Sequence, residues 1–196
     1  MQQIYLTIQV PMGTLLSISS VSIFWMQLLL SLFVCILVTA WYIWPFLTKL
    51  PLNSALIALL FVQVFRYLGM TLLVPDMFDQ RLPSDYLNAS AYGDLLAAAL
   101  ALASIFGLRN KWRLAIPLVW VFSLWGFGDL LNGLRSVLQV NLPKFNLGTI
   151  WYIYTFYAPV VILSHLMIFG ILIKSKSWGI KFKEHEKRHY TRSSLS

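Results

Sequence analysis

Five runs of about twenty predominantly apolar residues, parted by short breaks, constrain this chain more than any other feature. They cover about residues 21–46, 52–74, 87–108, 114–138 and 151–173. A run of that length matches the hydrocarbon thickness of a bilayer. Charged residues make up 11% of the 196 and apolar residues 59%, whereas a soluble domain carries about a quarter charged residues. There is too little charge to cover a globule. The expected fold is therefore all-α: an integral membrane bundle of five transmembrane helices. The breaks are short and rich in turn formers: Lys49-Leu50-Pro51, Pro75-Asp76, Leu82-Pro83-Ser84-Asp85 and Asn141-Leu142-Pro143. Consecutive helices must then pack as neighbours. Pro159, inside the fifth run, removes a backbone donor and predicts a kink there.

Basic residues orient the bundle. Taken over alternating connections, Lys49, Arg109, Lys111, Arg113 and seven residues after Ile173 fall on one side, eleven against two (Arg81 and Lys144) on the other. That asymmetry predicts a cytoplasmic C-terminus and, across five spans, an N-terminus outside. Asp76, Asp79 and Asp85 then face out. Trp41, Trp44, Trp112, Trp151 and Tyr152 fall near the expected interfaces, where amphipathic rings settle. No Lys or Arg precedes Lys49, so the first run lacks the basic start of a secretory leader and is expected to stay in the mature chain. Residues 1–20 read as an extracytoplasmic or interfacial segment, and 174–196 as a basic cytoplasmic tail.

The net charge of +8 resides largely in that tail. Behind a membrane helix, such charge meets anionic lipid headgroups rather than nucleic acid. Cys35, the sole cysteine, excludes an internal disulfide.

Ionisable groups inside a membrane are costly unless paired or hydrated, so each is a candidate site residue. Here they are Arg66, Asp94, Asp129, Arg135 and His165. At about 1.5 Å per residue, Arg66 and Asp129 lie at matching depths, about 12 and 13 Å from the outer ends of their helices. Arg135 and Asp94 are shallower, at about 5 and 5–10 Å. These depths predict a deep pair, Arg66 with Asp129, and a shallow pair, Arg135 with Asp94. Trp125, Asp129, Asn132 and Ser136 share one helical face, as do Gln63 and Arg66, and as do Tyr154 and His165 with Tyr157 beside Tyr154. Such faces would line a cavity in the outer half. The competing structural reading is that the pairs lock helices, with Ala97, Ala98 and Ala101 allowing close approach. His165 alone reads as a core histidine bonded to a neighbour. Haem held between two histidines would need a second one in the membrane, and no cofactor or metal is expected.

Two patterns tempt. His185-Glu186-Lys187-Arg188-His189 fits a zinc-protease spacing, but no third ligand follows it and its flanks are charged. Tyr92-Gly93-Asp94-Leu95-Leu96 and Phe127-Gly128-Asp129-Leu130-Leu131 repeat one aromatic-Gly-Asp-Leu-Leu motif, whose glycines would permit close helix contact. Both copies lie in the outer half, against the mirrored depths of an inverted repeat. Asn88-Ala89-Ser90 is a glycosylation sequon close to the membrane.

Phe65-Arg66-Tyr67-Leu68-Gly69, Ala91-Tyr92-Gly93-Asp94-Leu95 and Trp125-Gly126-Phe127-Gly128-Asp129-Leu130-Leu131-Asn132 resemble segments of a family of small polytopic bacterial inner-membrane proteins with no assigned activity. The resemblance implies an inner-membrane location and the same polar layer, and nothing about substrate. The expectation from the residues is an outward-facing polar cavity for a small polar or amphiphilic molecule, with a carrier as one form of it. Its ligand-binding candidates are Arg66, Asp94, Asp129, Asn132, Arg135, Tyr154 and His165. A membrane enzyme acting on a lipid or isoprenoid, and a non-enzymatic subunit or assembly factor, stand as alternatives.

Overall fold

The computed structural model describes residues 19–174 except 76, 78 and 80. The first eighteen residues and the basic tail from 175 onward, with its His185–His189 pattern, lie outside the described residues. Five helices are each long and apolar enough to cross a bilayer: α1 Ser20–Leu47, α2 Leu52–Leu73, α3 Ser84–Arg109, α4 Ala115–Val140 and α5 Ile150–Lys174. Their ends fall within three residues of the apolar runs. No strand occurs among the described residues.

Local chemistry fixes the ends. The Ser19 hydroxyl accepts from the Ser22 amide at 3.2 Å and caps α1, satisfying one of the free donors at a helix start. Pro51 and Pro83 precede α2 and α3, where a fixed φ and a missing N–H are harmless. Helix α4 stops at Asn141, which adopts a left-handed conformation (φ 56°) tolerated by asparagine.

Three helices are irregular inside. Helix α1 widens into a π-turn over Thr39–Ile43 ahead of Pro45, and α5 does so over Ile153–Tyr157 ahead of Pro159. A proline cannot donate to the carbonyl four residues back, so the preceding turn is free to take the wider spacing. The disturbance expected at Pro159 is thus this π-turn just before it. The C-terminal part of α2, Phe65–Leu73, tightens instead into a 3₁₀-helix of nine residues. Residues three apart eclipse in that geometry, so Arg66, Gly69 and Leu72 stack in one buried stripe.

Helix α3 sits centrally and packs on both halves of α2 and on α4. Its small face of Ala97, Ala98 and Ala101 is buried as expected. Helix α1 is peripheral, leaning on the π-turn of α5 and on the turn after α4. Two apolar clusters fill the interior. One, including Leu56, Leu60, Leu108, Phe122 and Leu172, lies toward the ends joined by the α1–α2 and α3–α4 turns. The other, including Phe24, Leu72, Val137, Leu142 and Ile150, lies toward the opposite ends. At that second end the Asp79 amide donates to the Asn146 carbonyl at 2.8 Å, tying the α2–α3 loop to the α4–α5 loop. Gly148 serves the same joint: φ is +51°, and a Cβ would sit 2.5 Å from the Met77 carbonyl oxygen. Between the two clusters lies a polar layer.

Candidate functional site

Arg66 is the centre of that layer, with its side chain only 4% exposed. Its Nε donates to Asp94 Oδ1 at 2.7 Å, its Nη2 to Asp129 Oδ2 at 2.5 Å, and its Nη1 to the Gly126 carbonyl at 3.0 Å. Nη2 also lies 2.7 Å from Asp94 Oδ1. One guanidinium therefore bridges α2, α3 and α4, and its planar fork suits two carboxylates at once.

The deep pair expected from helix depth, Arg66 with Asp129, is present. The expected shallow pair is not: Asp94 turns to Arg66, while Arg135 is exposed and makes no ion pair among the described residues. Two facts explain this correction. Helix α3 lies between α2 and α4, which brings Asp94 to the same guanidinium, and six residues of α-helix set Arg135 about 120° around the helix from Asp129.

Glycines make the close approach possible. A Cβ on Gly69 would collide with the Asp94 carboxylate, and one on Gly93 with Asp129 Oδ1. A Cβ on Gly126 would lie 2.9 Å from His165 Cε1 and 3.2 Å from Arg66 Nη1. Gly128, by contrast, has nothing within 4 Å. Of the two repeated motifs, only the Gly93 copy uses its glycine for close contact.

His165 is fully buried, and neither ring nitrogen has a hydrogen-bond partner among the described residues. This corrects the expectation of a histidine bonded to a neighbour. The ring stacks on Phe122 at 5.3 Å and meets the edge of Phe127 at 6.0 Å. Gln63, one turn before Arg66, donates to the Val161 carbonyl and to Ser164 Oγ, at 3.1 and 2.5 Å. It joins α2 to α5.

Beside the triad a cavity of about 270 Å³ opens between the helices. Arg66, Asp94, Asp129, Asn132, Ser136 and Tyr154 line it. Arg135, His165 and Trp125 do not. The Tyr154 hydroxyl meets the Tyr86 hydroxyl at 2.6 Å, and Tyr157 donates to the Val62 carbonyl at 2.7 Å. Phe24 and Trp25 of α1 complete the wall. Tyr86, Gly69 and Gly126 escaped the sequence reading. Spacing offered a signal for the glycines, which stand three residues after Arg66 and three before Asp129.

Fold and site together define a class: an all-α bundle of five bilayer-length helices with an ion triad buried between three of them. Within it, the chain belongs to the family described as a domain of unknown function, DUF8737, whose profile matches residues 23–173. No curated protein and no solved structure matches the chain.

Proposed function

We propose that this is a multi-pass protein of a cell's inner membrane, with its tail cytoplasmic, whose outward-facing cavity binds a small polar or amphiphilic molecule. Arg66, Asp94, Asp129, Asn132 and Tyr154 make the first contacts; Arg135 and His165, off the lining, take no part in them. The observation that carries this reading is that the two carboxylates paired with Arg66 face a cavity rather than packed side chains. Buried pairs that only fasten helices need no such space. Apolar walls with a few convergent polar groups are what small-molecule sites are made of. In a carrier, Asp129 is the group that gains and loses a proton, and Arg66 the partner it releases.

Untargeted native mass spectrometry on the purified chain, beside Asp129→Asn, tests the reading. A molecule that co-purifies with the wild type and is lost from the variant supports it. Two forms that are empty and equally stable would sink it in favour of a scaffold whose triad only clamps α2, α3 and α4.

A further inference from the structure

We infer that the molecule held in the cavity carries a positive charge: an amine, protonated or quaternary, on a short apolar body. The inference rests on the reading of the cavity as a binding site. Its first ground is the charge count. Two carboxylates face one guanidinium, and Arg66 is the sole Lys or Arg among the described residues that line the space. The triad is one positive charge short, and an unbalanced charge in a low-dielectric site is expensive to hold.

Geometry says where the missing charge belongs. Arg66 spends Nε and Nη2 on the two carboxylates and donates from Nη1 to Gly126. Each carboxylate gives it one oxygen; Asp94 Oδ2, which packs over Gly69, and Asp129 Oδ1, which packs over Gly93, have no hydrogen bond among the described residues. The carboxylate side chains are 26% and 18% exposed against 4% for Arg66, so the cavity is fronted by acceptors and not by the guanidinium. An anion would meet the wrong sign. The wall adds Phe24, Trp25, Tyr86, Tyr154 and Tyr157, and aromatic faces attract ammonium groups.

Size sets the body. A 150 Å³ apolar cavity accommodates benzene, so about 270 Å³ takes roughly ten non-hydrogen atoms by the same measure.

The test uses the full chain in phosphatidylglycerol nanodiscs, with octylammonium, octanol and octanoate as probes and bound copies counted by native mass spectrometry. Octylammonium should bind about tenfold or more tighter than octanol, as for a hydrogen bond to a charged group, and octanoate should not bind. Asp129→Asn should erase the preference for the amine. Octanol binding as well as octylammonium would overturn the charge inference, because a proton would then already balance the triad, while leaving the cavity reading intact. No binding by any probe would overturn both. The comparison of probes is made on the wild type, so it stands even if the variant fails to fold. Adding phosphatidylethanolamine to the discs identifies the source: displacement of octylammonium points to a lipid headgroup, and undiminished binding to a free amine.

Discussion

The Arg66 side chain makes its three hydrogen bonds across helix boundaries, so removing it strands two carboxylates rather than deleting one contact. Arg66→Ala should destabilise the bundle by about 3–5 kcal/mol, the usual cost of breaking a buried pair from one side. Asp129→Ala in the same chain should recover part of that loss, and a cycle of unfolding titrations in SDS would give the coupling; purely additive losses would dissolve the pair. The glycines offer a sharper contrast. Gly69→Ala and Gly93→Ala force a methyl into a carboxylate and should lower the melting temperature. Gly128→Ala and Gly133→Ala have open space and should be neutral or gain about 0.5–1 kcal/mol of helix propensity. Helix depth made the Arg66–Asp129 pair legible, because a rise per residue is fixed. It could not rank the two repeated motifs, since nearly identical pentapeptides differ only in which way their helices are rotated.

Run length made the five helices legible almost to the residue, because hydrocarbon thickness dictates it. The irregular turns were not, since one missing donor at Pro159 is compatible with a kink or a π-turn and neighbouring packing decides which. Nothing in Phe65–Leu73 announces a 3₁₀-helix; its register follows from stacking Arg66, Gly69 and Leu72 toward α3. Poorer hydrogen-bond geometry in so long a 3₁₀ stretch predicts faster amide exchange for Phe65–Leu73 than for Leu52–Val64 in the same helix. Hydrogen–deuterium exchange read at peptide resolution checks this, and equal protection would mean that the tight turn costs nothing.

Across the whole molecule, the loops at the second end act as a brace whose charge depends on pH. A hydrogen bond from Arg81 holds the Asp79 carboxyl well below the usual carboxylate range. A group shifted down contributes stability above its unfolded pKa of about 3.9 and loses it as pH falls toward the depressed value. With Arg81 78% exposed, the contribution is small. Asp79→Asn should therefore lower the melting temperature slightly at neutral pH and converge on the wild type as pH falls below about 4, which flattens the acid limb of the profile. Which helix would sit centrally was not legible, because short connections make neighbours without saying which one is surrounded. The triad also has a consequence during synthesis. Helix α2 emerges with an arginine whose insertion at a helix centre costs about 2.5–3.5 kcal/mol, and both its acidic partners lie later in the chain. Ribosome-bound chains stopped after α2 should insert poorly, and those extended through α3 should recover, so that α2 is committed to the bilayer only once Asp94 has followed it out of the tunnel.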